Sequence, residues 1–191
     1  VTIPLDSRWE QSGNIFHYTI IDSGSAGKSY EASSGLPQNI LDVTPNYKLS
    51  TQLNNSHFIA DIYSHRLGGR KSNFLLKSLP YSYDVFDWTK DFVQLPTTPV
   101  ALSVFKGRVY AFDDNNTYRI EPNNLYIEDS FEGSGCIGHD SVVVTEYGMF
   151  YCDRNNVYRH DGNMPYPIAD AILLTWTDLD FSYIPLIGFD S

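Results

Sequence analysis

Two stretches of this chain repeat one another at a spacing of 40 residues, and that repeat limits the possible folds more than any other feature. Residues 109–119 read Val-Tyr-Ala-Phe-Asp-Asp-Asn-Asn-Thr-Tyr-Arg, and residues 149–159 read Met-Phe-Tyr-Cys-Asp-Arg-Asn-Asn-Val-Tyr-Arg. Asp113/Asp153, Asn115/Asn155, Asn116/Asn156, Tyr118/Tyr158 and Arg119/Arg159 are identical. Apolar residues fill the places before each Asp. A glycine precedes each copy, Gly107 and Gly148, one residue out of register.

Each copy predicts a hairpin. An apolar strand runs to an Asp, an Asx-rich turn follows, and a second strand starts at Thr117 or Val157. Asn and Asp suit such a turn because they tolerate positive φ and bond back to their own backbone. Val100–Phe105 and Val142–Thr145 predict a further strand ahead of each hairpin. Three strands in about 40 residues match the period of a β-propeller blade. The strands Val109–Phe112 and Met149–Cys152 are apolar on both faces, so both faces must be covered. A sandwich strand would alternate apolar and polar residues; a blade stacked between two neighbours would not.

The fold class expected is therefore all-β, with propeller-like blades belonging to a larger propeller. Residues 1–45 form an unplaced N-terminal β segment with loops, in which 14–22 reads as a strand. Residues 46–98 read as a divergent blade, with strands at 56–61 and 73–77, a long connection through Leu67-Gly68-Gly69-Arg70-Lys71, and an irregular link from 79 to 98. Residues 99–163 carry the two repeat hairpins. Residues 164–191 form a C-terminal link with a short helix near 168–176, after Pro165 and Pro167. Two good copies do not close a ring, which takes roughly 4–8 blades, and Val1-Thr2-Ile3-Pro4 resembles no basic leader. A longer parent chain is expected.

Composition supports β structure. The chain has 14 Tyr, 11 Phe and 3 Trp, which suit a pleated surface. Its net charge of −10 argues against a nucleic-acid binder, because phosphate contacts need Lys and Arg. The longest apolar run, Ala171–Leu174, is too short for a membrane helix. Cys136 and Cys152 lack metal-ligand spacing and read as reduced, buried apolar residues, although a pairing between them stays open.

No stretch predicts a catalytic, cofactor or metal site. Gly24–Ser29 ends in Gly-Lys-Ser, but a P-loop needs Gly where Asp22 stands, and a helix where Gly35 and Pro37 follow. Asp113–Asn116 and Asp153–Asn156 lack the alternating acidic order of a calcium loop. His139-Asp140-Ser141 has the residue types of a hydrolase triad, but adjacent residues on one strand do not face each other. His17, His57, His65 and His160 have no metal spacing. Glu128, Asp129, Glu132, Asp178 and Asp180 offer carboxylate pairs of the kind any acidic chain holds. His65-Arg66, Arg70-Lys71 and Lys77 form the one basic cluster, read as a solvated loop or a contact to an acidic subunit. The sequons at Asn54 and Asn115 are read as coincidence.

The run Pro99–Phe112 with Asn116-Thr117-Tyr118 resembles a pattern in virion proteins of tailed bacteriophages. So do Gly135-Cys136-Ile137-Gly138, Ser141–Tyr151 and Val157–Gly162. The resemblance is strong over about a third of the chain and weak over 45–98. It implies a β-propeller of the tail or neck, of nozzle or adaptor type, in a ring around the DNA channel. By that resemblance the protein is a structural component of the tail or head-to-tail connector, not an enzyme, and needs no cofactor. Its partners would be copies of itself and other tail or neck proteins, with DNA only passing through and no membrane contact. It would be located in the virion, after assembly in the bacterial cytoplasm. The alternative is a carbohydrate- or receptor-binding propeller using Tyr81, Tyr83 and Trp88. A propeller glycoside hydrolase is a third reading.

Overall fold

The computed structural model describes residues 9–12, 15–18, 41–42, 46–64, 68–169, 176 and 178–189. The chain divides into two units, Val1–Asn39 and Ile40–Ser191. In the first, β1 (Trp9–Ser12) pairs antiparallel with β2 (Ile15–Tyr18), which occupies the early part of the strand expected at 14–22. The Gly-Lys-Ser stretch at 24–29 lies outside the described residues, as does most of the helix expected at 168–176.

The described residues of the second unit are all-β and form three antiparallel sheets. The first has six strands: β3 (Leu41–Asp42), β4 (Asn46–Leu53), β5 (Ser56–Ser64), β6 (Gly69–Leu79), β7 (Ser82–Asp87) and β8 (Phe92–Gln94). Their order is β3-β7-β6-β5-β4, with β8 also paired to β6. The second sheet is a meander of β9 (Ala101–Phe105), β10 (Arg108–Phe112), β11 (Asn116–Glu121) and β12 (Tyr126–Glu132). The third repeats that order with β13 (Val142–Thr145), β14 (Gly148–Cys152), β15 (Val157–His160) and β16 (Pro165–Pro167).

Local chemistry explains the hairpins. Asn54 and Asn55 both take positive φ, 50° and 59°, between β4 and β5. Lys106 and Gly107 do the same at 48° and 71° between β9 and β10. Two successive positive φ values give the turn whose twist matches paired strands.

The middle sheet is covered on both faces. Strand β10 alternates, so Val109 and Ala111 point one way and Tyr110 and Phe112 the other. Val109, Ala111, Leu102 and Ile120 pack against Leu49, Phe58, Ala60 and Leu75 of the first sheet. On the opposite face Tyr110, Phe112 and Ala101 pack against Met149 and Tyr151 of the third. The ring centroids of Phe112 and Tyr151 are 4.9 Å apart. All four of these β10 side chains are fully buried, which at about 1.5–3 kcal/mol for a large apolar residue makes this strand the centre of the fold. The two-faced burial expected from residues 109–112 is present.

Segment 133–138 ties the second and third sheets together. The Cys136 amide donates to the Asp113 carbonyl at 2.8 Å, and the next amide, Ile137, donates to the Cys152 carbonyl at 3.0 Å. Gly135 is required there: a Cβ would stand 2.3 Å from the backbone of Asp114 and Asn115.

Several boundaries differ from expectation. Each of the last two sheets has four strands rather than three. Strand β12 is exposed along most of its length and β16 holds two prolines, so neither carries the apolar signature of a buried strand. Strand β16 falls within the expected C-terminal link. The stretch read as a long connection is largely strand: β5 runs to Ser64 and β6 starts at Gly69, so Arg70 and Lys71 are strand residues. Both pair with β5, Arg70 with Tyr63 and Lys71 with Ile62, which conceals their place in the sequence pattern. The link expected at 79–98 contains β7 and β8, and β4 extends the sheet at its other edge. Leu41 pairs with Asp87, so the sheet starts before residue 46.

Candidate functional site

The repeated Asp residues sit at the same structural place. Asp113 Oδ1 accepts the Asn115 and Asn116 amides at 2.7 and 2.6 Å, and its Oδ2 accepts the Tyr118 hydroxyl at 2.9 Å and that of Thr97. Asp153 Oδ1 accepts the Asn155 and Asn156 amides, both at 2.7 Å, and its Oδ2 accepts the Tyr158 hydroxyl at 3.2 Å. Burial pushes the Asp113 carboxyl up, but the donors of Thr97, Asn115, Asn116 and Tyr118 outweigh it and hold it below its ordinary value. Both Oδ atoms of each Asp already serve the turn, so these are chain-folding carboxylates. Among the described residues no group of three or more His, Cys, Asp or Glu is placed to hold a metal ion.

An apolar concavity lies on the outer face of the third sheet. Tyr151 and Met149 point inward, so Phe150 points out with Val143, Thr145 and Val157. Residues 185–189 cross this face and enclose a groove of about 390 Å³. They are fastened by the Ile187 amide to the Asp140 carbonyl at 3.0 Å, and by the Ser141 hydroxyl to the Pro185 carbonyl. Tyr183 and Leu186, both 78% exposed, and Ile184, 60% exposed, face solvent beside it.

The other candidate residues are dispersed. His139-Asp140-Ser141 forms a 3-10 turn leading into β13, and Ser141 spends its hydroxyl on Pro185 rather than on His139. Glu128 is held by Arg108 at 2.8 Å and Arg119 at 3.1 Å, and Arg119 also reaches Asp129. The Arg108 hydrogen bond keeps the Glu128 carboxyl below its ordinary value, opposite to what a general acid needs. Asp178 and Asp180 lie exposed on the C-terminal segment. Tyr81 is 75% and Tyr83 43% exposed, whereas Trp88 packs half-buried against Ile59, Ile62, Leu76 and Phe86. Cys136 and Cys152 are buried free thiols. Burial pushes Cys136 up to about 12 and Cys152 to about 11. Asn54 and Asn115 sit in exposed turns. Within the basic cluster, His65 and Arg66 lie outside the described residues.

Asp61 and His160 are buried in ways that composition and local spacing do not announce. Asp61 is buried in β5 and paired with Arg70. Its signal was a lone charge inside the apolar run Phe58-Ile59-Ala60-Asp61-Ile62. His160 is fully buried, with its ring edge-on to Tyr110 at 5.0 Å and Phe131 at 4.9 Å. Its Nδ1 accepts the Gly162 amide at 2.9 Å, and its Nε2 has no hydrogen-bond partner. Burial lowers its pKa to about 4. The repeat carries its signal: His160 takes the place of Ile120, which is also fully buried and pairs with Val109 as His160 pairs with Met149.

No protein-family model matches the chain, and no curated protein matches it. No helix among the described residues is long and apolar enough to cross a membrane.

Proposed function

We propose that this chain is an architectural segment of a β-propeller, and that it serves as a structural component of a bacteriophage tail or head-to-tail connector. One observation carries the propeller reading: the middle sheet is buried on both faces, and the third sheet copies its strand order and its Asp-turn bonds. Stacked four-stranded meanders are the construction principle of propellers, which protect sheet edges by radial repetition. The outer face of the third sheet, apolar and only strapped by residues 185–189, fits a stacking surface for a further blade.

The virion assignment rests on the resemblance of residues 99–163 and on charge. A ring wall with net charge −10 offers phosphate few cationic partners, so DNA would pass without binding. Copies of the chain and neighbouring tail or neck proteins are the partners of this reading.

Native mass spectrometry and cryo-electron microscopy of the full-length protein in its particle test it. A symmetric ring on the tail axis, with residues 101–167 as adjacent blades, is expected. A monomer away from any axis would overturn the virion reading, and an open stack of sheets would overturn the propeller. A glycan-binding propeller is the second reading, favoured by the exposed rings of Tyr81 and Tyr83.

A further inference from the structure

We propose that Arg70, Lys48, Tyr47 and Tyr63 form a binding site for a carboxylate carried on a sugar ring, that is, for an acidic monosaccharide unit. The site is independent of whether the protein forms a ring.

The site begins with a defect in a strand. The pairing of β5 with β6 shifts register between Ala60 and Ile62, and Asp61 at that point takes a φ of 51°. A bulge of this kind re-aims one side chain out of the pleat. The Asp61 side chain is only 2% exposed and meets Arg70 in a two-pronged contact, Nε to Oδ1 at 2.7 Å and Nη2 to Oδ2 at 2.5 Å.

This contact orients the arginine without consuming it. A guanidinium offers five N–H donors, and Asp61 takes two on the side that includes Nε. The opposite fork, Nη1 with the second Nη2 hydrogen, remains for another planar anion. The Arg70 side chain is 62% exposed, so that fork is open to solvent. The hydrogen bond to Asp61 also raises the Arg70 pKa, which keeps its charge fixed.

The surroundings define the ligand. Asp61 and Arg70 offset each other, and among the described residues no carboxylate pairs with the Lys48 ammonium that lines the same cavity. An anion is therefore favoured, in a chain whose net charge is otherwise negative. Tyr47, 46% exposed with its ring edge-on to His57 at 5.5 Å, and Tyr63, 42% exposed, line the cavity and offer part of their aromatic surface to the C–H face of a sugar, and Asn46 supplies an amide for its hydroxyls. The cavity measures about 310 Å³, near the lower bound of small-molecule pockets, and so fits one ring rather than a long chain.

Heteronuclear NMR titration of the whole chain with sodium glucuronate, glucose, sodium acetate and a short poly-glutamate peptide tests the proposal. Glucuronate is expected to shift the resonances of Arg70, Lys48, Tyr47 and Tyr63 saturably. Glucose and acetate should bind at least ~10-fold more weakly, each lacking one half of the recognition. Arg70→Lys keeps the charge but loses the fork, and should weaken glucuronate by ~10-fold or more, the equivalent of one charge-assisted hydrogen bond. Lys48→Gln should weaken it similarly, and because Lys48 is an exposed strand residue this variant folds irrespective of the Asp61 contact. Absence of saturable glucuronate shifts overturns the proposal. So does acetate or poly-glutamate binding as tightly as glucuronate, which would mark a general anion patch, and so does unchanged affinity in both variants.

Discussion

The Tyr118 hydroxyl donates to Asp113 Oδ2 at 2.9 Å, locking the start of β11 onto the turn that precedes it. The same pair of residue types makes the same contact at Tyr158 and Asp153. The repeated Asp-x-Asn-Asn-x-Tyr string is thus a folding device, in which the acid organises the turn amides and the phenol clamps the acid.

Asp113→Ala should destabilise the protein by about 3 kcal/mol, because it leaves several buried donors without an acceptor. Tyr118→Phe removes one donor and should cost only about 1 kcal/mol. Urea unfolding followed by tyrosine fluorescence measures both. Because the folded carboxyl of Asp113 titrates below its unfolded value, its contribution is complete above the unfolded pKa and disappears as pH falls through the folded one.

His160 acts in a higher pH window. Its folded pKa is about 4, against 6.5 for the free side chain. The unfolded chain therefore binds a proton first, and stability should fall as pH drops from about 6.5 to about 4, then level off for this group. The full loss is of order 3 kcal/mol. His160→Phe should flatten this window while leaving the carboxylate-driven loss at lower pH. Thermal melting across pH 7 to 4 checks it, and an unchanged slope in the variant would assign the acid sensitivity elsewhere.

Gly135→Ala and Gly133→Ala make a contrast within one segment. A Cβ at 135 meets backbone at 2.3 Å, whereas at 133 it meets nothing within 4 Å and only the positive φ of 73° opposes it. The second should cost about 1 kcal/mol. The first should cost several times as much, since neither backbone segment can retreat without breaking the hydrogen bond from the Cys136 amide to the Asp113 carbonyl. Differential scanning calorimetry of the pair separates the two causes.

The thiols should be silent in the folded state. With Cys136 raised to about 12 and Cys152 to about 11, and both buried, iodoacetamide at neutral pH should label neither until the chain unfolds. Mass spectrometry of native and urea-treated samples gives the result directly; labelling of native protein would show local opening of segment 133–138 or of the turn at Cys152.

The β10–β11 and β14–β15 hairpins were legible because their strands are buried on both faces and their turns need Asx chemistry. Those two demands leave a strong imprint on residue choice. Strands β12 and β16 were not legible, because an edge strand with charged residues or proline looks like a loop. Arg70 was misplaced for a related reason: a strand that faces solvent on one side carries the same residues as a basic loop. The site at Asp61 depends on a bulge, which is not encoded within a few residues of sequence, whereas His160's burial is legible only through the repeat, at the place of Ile120.

The paired amides of Cys136 and Ile137 have a longer consequence. They tie the turn after β10 and the end of β14 to one segment through main-chain atoms. A change of side chain at 136 or 137 to anything but proline therefore leaves both bonds available, while the packing between the second and third sheets still depends on residues such as Phe112 and Tyr151.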